Sequence, residues 1–96
     1  MGDVFRALAD PTRRAIVDAL ADRDGQTLFE LCARLSMQAS RVTTRQAVSQ
    51  HIDVLEDAGL VRVRREGRYK FHSLDLEPLA SAVARWLDVR EPKEPA

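Results

Sequence analysis

Apolar residues recur at helical spacing in five stretches of this chain and alternate in one. Val4, Phe5 and Leu8 mark a short first helix ending near Ala9. Asp10-Pro11-Thr12 restarts the chain, with Asp10 as cap and Pro11 as first helical residue, where a missing N–H costs nothing. Ile16, Ala19 and Leu20 form the buried stripe of that second helix, and Gly25 lies in the loop beyond it. Thr27-Leu28-Phe29-Glu30 is a capping box, in which the Thr27 hydroxyl and the Glu30 carboxylate each satisfy a free backbone donor. Leu28, Leu31, Cys32 and Leu35 then follow on one face of a short third helix, and Phe29 falls off that face with no place assigned to it. Ser36 to Thr43 has no periodicity. Either the third helix extends past Leu35, or the connection is longer than the three or four residues of a tight helix-turn-helix.

Thr44 is a good N-cap for a fourth helix, whose Val48, Ile52 and Leu55 share one face and which Gly59 stops. Thr44, Arg45, Gln46, Ser49 and Gln50, in its front half, can hydrogen-bond base edges or phosphates. Asp53, Glu56 and Asp57, in its back half, would be repelled by them. Only the front of this helix can enter a groove of DNA. His51 lies nearer the buried face and is assigned to packing or a backbone contact. Arg13 and Arg14, in the first turn of the second helix, read as a solvated face, with a phosphate contact as the alternative.

Directly after Gly59, Val61 and Val63 alternate with Arg62 and Arg64, and Tyr69 and Phe71 alternate with Lys70 and His72. A three-residue loop of Arg65-Glu66-Gly67 would put both apolar sets on one face, pairing Val63 with Tyr69 and Val61 with Phe71. That register sets Arg64 opposite Arg68 and Arg62 opposite Lys70, and like charges across a strand pair are unfavourable. A polyanion against the hairpin would remove the repulsion. The pattern therefore predicts a wing that grips a nucleic-acid backbone through Arg62, Arg64, Arg65, Arg68 and Lys70.

The last helix starts between Asp75 and Pro78 and runs to about Val89, with Leu79, Val83, Trp86 and Leu87 as its stripe. Together with Val4, Phe5 and Leu8, these exceed what a three-helix core with a hairpin needs. The two terminal helices are expected to form a homodimer interface, the alternative being that they close the monomer's own core. The fold class that results is mainly α with a small antiparallel hairpin, a winged helix-turn-helix of about five helices and a two-stranded β wing.

Composition adds bounds. Ninety-six residues fit one domain, taken as 1–90, with EPKEPA (91–96) as a disordered tail. The 15 basic and 15 acidic residues balance, yet residues 62 to 70 hold five cations against Glu66 alone, so the positive charge is placed and not spread. One cysteine excludes an intramolecular disulfide framework and is compatible with a reducing compartment. The chain has no long apolar run and no secretory start, so a cytoplasmic protein without a membrane partner is expected. No nucleophile sits near a base, and there is no glycine-rich phosphate loop, so neither enzyme chemistry nor a cofactor is expected.

Four segments in this order, VFRALADPTRRAIVDAL, TLFELCARL, TRQAVSQHIDVLEDAGLV and RREGRYKFHSL, resemble the ArsR/SmtB family of bacterial winged-helix regulators. The resemblance implies a homodimeric transcriptional repressor that binds a near-palindromic operator and dimerises through its terminal helices. Many members sense metals through a Cys-x-Cys pair in a segment like Glu30-Leu31-Cys32. Here the second position is Arg34, a cation that cannot ligate, and the last helix has no histidine for the family's other metal site. Cys32, His51 and His72 do not make a four-ligand zinc site. The chain resembles the metal-independent branch, with no metal residues and an unidentified effector. Two other readings stay open: a winged-helix protein-interaction module, and a thiol or metal sensor through Cys32.

Overall fold

Asp3 and Asp10 start the first two helices in the same way, each turning a carboxylate back onto amides that have no helical partner. The computed structural model describes residues 3–37 and 43–90, with side chains of the last helix described as far as Leu87. Helix α1 (Val4–Ala7) is a single turn, shorter than its apolar pattern, capped by Asp3 Oδ1 accepting from Phe5 N at 2.9 Å. In α2 (Pro11–Asp22), Asp10 Oδ2 accepts from Arg13 N at 3.0 Å.

Helix α3 (Leu28–Met37) opens on the capping box read from the sequence. Thr27 N donates to Glu30 Oε1 at 2.9 Å and Glu30 N to Thr27 Oγ1 at 3.2 Å. The helix runs past Leu35 to Met37, and residues 38–42 of the connection, like the expected tail at 91–96, lie outside the described residues. Thr44 Oγ1 accepts from Ala47 N at 3.0 Å and starts α4 (Arg45–Asp57). Gly59, at φ 82°, supplies the left-handed residue that turns the chain into β1 (Val61–Glu66). Strand β2 (Tyr69–Leu74) follows, then α5 (Glu77–Arg90).

The core lies where α2, α3, α4 and the start of β1 meet. Ile16, Leu20, Leu31, Leu35, Val48, Leu55, Leu60 and Val61 are all fully buried there, each side chain contributing about 1.5–3 kcal/mol of apolar burial. The apolar residues of the two terminal helices divide. Val4, Leu8 and Leu79 pack against the core, and Val83 is half-buried, whereas Phe5, Trp86 and Leu87 stay exposed.

The hairpin differs from the sequence expectation. β1 and β2 pair antiparallel with Val61 opposite Leu74, Val63 opposite His72, Arg64 opposite Phe71 and Arg65 opposite Lys70, joined through Gly67 and Arg68 alone. The three-residue loop is absent, and Arg64–Arg68 and Arg62–Lys70 do not pair. An odd shift of register moves one strand's side chains to the other face. His72, not Phe71, therefore shares the inner face with Val61 and Val63, and is 5% exposed. The reason lies outside the hairpin. Gln26 joins β2 as a one-residue third strand, its N donating to His72 O at 3.1 Å and its O accepting from His72 N at 2.8 Å. The Gln26 side chain is buried too, donating to Ala19 O at 2.9 Å and Arg23 O at 2.6 Å at the end of α2.

Candidate nucleic-acid interface

The front of α4 presents the polar residues expected of it. Arg45, Gln46 and Gln50 are exposed, Ser49 is half-buried toward the wing, and the Thr44 hydroxyl, though engaged as cap acceptor, keeps its proton free to donate. Asp53, Glu56 and Asp57 are exposed further along, so favourable potential for a polyanion is confined to the first two turns.

The five cations of the wing are not equivalent. Arg62 is held 2.8 Å from Asp75, and Arg64 is held 2.9 Å from Glu66 while its guanidinium lies 5.0 Å from the centre of the Phe71 ring. Arg65, Arg68 and Lys70 form no ion pair among the described residues. In the observed register Arg65 stands directly opposite Lys70. The like-charge juxtaposition inferred from the sequence therefore exists at one position instead of two, on a different pair. Asp75 is itself well placed. Its carboxyl is held below the usual carboxylate range first by the Glu77 amide, 3.0 Å from Oδ1; burial opposes this with a weaker effect, and Arg62 adds a further lowering.

Between α4 and the hairpin runs an open cleft of about 830 Å³. Arg45 and Ser49 line it from the helix, and Arg65, Arg68 and Lys70 from the wing. The three wing cations without an acidic partner thus face the same space as the front of the helix, the arrangement needed to hold a phosphate backbone between them.

A comparison against family models matches a helix-turn-helix domain at residues 8–64. The HTH-type transcriptional regulator YuzN of Bacillus subtilis is 44% identical over 85 residues, covering 88% of this chain and 92% of that protein. The crystal structure of the ArsR family transcriptional regulator RHA00566 superposes with a TM-score of 0.71 at 31% identity, covering 95% of this chain and 93% of that one. The chain belongs to the ArsR/SmtB family of winged helix-turn-helix transcriptional regulators. A further relative, the transcriptional repressor SdpR of Bacillus subtilis, is 28% identical over 91% of this chain and 88% of its own length. The family consists of DNA-binding regulators, not enzymes.

The structure adds contacts to several residues of this ArsR/SmtB regulator. Arg14 is exposed and Arg13 half-buried, and each also makes a backbone contact that the sequence does not suggest. Arg13 Nε donates to Ala7 O at 2.7 Å, and Arg14 Nη1 to Leu8 O at 2.7 Å, so both close the end of α1. Helical periodicity carries no trace of such a contact, because it joins side chain to backbone across a turn. Cys32 is half-buried and packs against the core, in line with its place on the apolar face of α3; desolvation pushes its thiol up, partly opposed by Arg45. Arg34, at the second position of the family's Cys-x-Cys pattern, is paired with Asp22 at 2.7 Å. Among the described residues no group of three or more His, Cys, Asp or Glu is arranged to hold a metal ion.

Proposed function

We propose that this regulator is a cytoplasmic, metal-independent repressor that binds a near-palindromic duplex as a homodimer. The observation that carries the DNA geometry is the shared cleft, where Arg65, Arg68 and Lys70 of the wing, free of acidic partners, face Arg45 and Ser49 of α4. Gln46 and Gln50 at the exposed front of α4 read base edges in the major groove, while the wing cations hold the backbone beside it. Homodimerisation is supported by Phe5, Trp86 and Leu87, large apolar side chains left exposed on the two terminal helices. Repression is supported by the likeness to the repressor SdpR.

The test is selection from a random duplex pool, followed by salt titration of the enriched sequence. A two-fold sequence with half-sites roughly one helical turn, ~34 Å, apart is expected, with affinity falling steeply as salt rises. Gln46→Ala and Gln50→Ala should each cost about 1–3 kcal/mol at particular base pairs and leave the salt slope alone. A pool that yields no enriched duplex at low salt would overturn the reading in favour of a winged-helix module that binds protein.

A further inference from the structure

Among the described residues four aromatic side chains are exposed, and they lie in two places. Phe5 and Trp86 meet where α1 and α5 touch, their ring centroids 6.0 Å apart. Phe29, 69% exposed, stands instead on the α3 wall of the cleft beside α4, and Tyr69, 60% exposed, lies at its wing rim with its ring centroid 6.3 Å from that of Phe71. The DNA geometry proposed above uses neither ring, and exposure of this size forgoes most of what an aromatic side chain gains by burial.

The floor between them is unlike a phosphate track. Leu28, Ile52 and Val63 line it, and His72 lines it while being 95% buried, the complement of its 5% exposure. Because the Gln26 carbonyl can only accept, the 2.8 Å contact places the ring proton of His72 on Nδ1. Nε2 is then an acceptor in the neutral ring, and among the described residues no group donates to it. Buried acceptors are normally satisfied. A phosphodiester has neither an apolar face nor a donor to offer such a floor, although it suits the cations at the rim.

We propose that this cleft is an effector site for a small planar aromatic monocarboxylate carrying an O–H or N–H on the far side of its ring. The ring lies over Leu28, Ile52 and Val63 against Phe29, with Tyr69 at the rim. The carboxylate takes the cations at the Arg45 end, and the ring donor reaches His72 Nε2. Asp53 and Glu56 line the same cleft, roughly 12 and 16 Å from Arg45 along a helix that rises 1.5 Å per residue, and they reject a second negative charge. The cleft's volume falls within the ~300–1,000 Å³ of small-molecule sites. A bound carboxylate occupies the cations that a phosphate backbone needs, so ligand and operator exclude one another. That regulatory consequence rests on the DNA-binding reading; occupation of the cleft does not.

Calorimetric titration of the full chain, without DNA, with 4-hydroxybenzoate and indole-5-carboxylate tests the site, using acetate and phosphate at matched ionic strength as controls. One saturable site per chain is expected for at least one aromatic probe and none for the controls. Phe29→Ala should weaken it by about twofold to tenfold and Tyr69→Ala by less, and Phe29 is exposed enough for its variant to keep its melting temperature. The bound probe should release a labelled operator duplex at constant salt. Absence of saturable binding up to millimolar concentration, or binding unchanged in the double variant, overturns the site, and binding without release of duplex overturns its regulatory role. A protein that takes up the probe in this pattern but binds no duplex refutes the operator reading and upholds the cleft; one that binds duplex and no probe does the reverse.

Discussion

Arg13 of α2 and His51 of α4, 38 residues apart in sequence, meet with Nη1 of the guanidinium 3.2 Å from Nδ1 of the ring. An arginine only donates, so Nδ1 accepts and the neutral ring carries its proton on Nε2. The same guanidinium donates to Ala7 O at 2.7 Å and Arg6 O at 3.3 Å. One side chain therefore ties α1, which bears Phe5, to α4. Arg13→Ala should lower the unfolding free energy by about 1.5–3 kcal/mol, the range for hydrogen bonds to a charged group. Arg13→Lys should recover only part, because one ammonium cannot span acceptors fanned around a planar fork. Urea denaturation measures both. The salt slope of duplex binding should stay unchanged in the folded variants; a loss of about one would make Arg13 a phosphate contact after all.

What could be read from the sequence was chemistry local to a few residues. The caps at Asp10, Thr27 with Glu30, and Thr44 are i to i+3 contacts, and each forms as expected. The stripes Ile16–Leu20 and Val48–Leu55 were legible for the same reason, since helical spacing alone sets the inward face. The hairpin register was not legible. It depends on Gln26, 46 residues from His72, and a polar pair that claims the inner face leaves no apolar alternation to detect. The exposed polar front of α4 was legible apart from the half-burial of Ser49, but which wing cations are paired away depends on Asp75, beyond the strand, and on Glu66, which lies in β1 and not in a loop.

Asp75 links the wing to the start of α5, accepting from the Glu77 amide and pairing with Arg62. Its carboxyl is held below its ordinary value, so the unfolded chain binds a proton at higher pH than the folded one. The stabilisation is therefore complete above the unfolded pKa of about 4 and is lost as pH falls through the lower folded value. Asp75→Asn should flatten the acid limb of a plot of melting temperature against pH, with little change in that limb's shape above pH 6. A variant whose acid limb matches the parent's would show that the contact adds no pH-dependent stability.

The ion pairs also rank the wing arginines. A cation already neutralised by a protein carboxylate releases fewer counterions when DNA arrives than one held in solvent. Arg68→Ala and Lys70→Ala should each reduce the slope of log affinity against log salt by about 0.9, the value for one phosphate contact. Arg62→Ala should reduce it by less, and Asp75→Asn, which frees Arg62, should steepen it. Fluorescence anisotropy of a labelled duplex at several salt concentrations measures all four. Equal slopes for Arg62→Ala and Arg68→Ala would mean that the Arg62–Asp75 pair opens when DNA binds.

Trp86 tests the dimer most directly, because it is the single tryptophan of the chain and is 46% exposed beside Phe5. The guanidinium of Arg85 lies 4.4 Å from the centre of its ring, so one face is already covered by a cation and the remaining apolar edge adjoins Phe5. Joining α1 and α5 to a second copy would remove that edge from water. The intrinsic emission should then shift to the red on dilution, at a midpoint equal to the dimer dissociation constant from sedimentation. Trp86→Glu replaces the largest apolar side chain of the patch with a charge and should weaken the dimer by about 2 kcal/mol or more, roughly thirtyfold. Its melting temperature at high dilution should change little, because the position lies outside the buried core. Binding to a two-fold duplex should fall with dimerisation, while binding to a single half-site keeps its salt slope. If Trp86→Glu left both the sedimentation behaviour and the two-fold binding intact, the interface would lie elsewhere on the molecule.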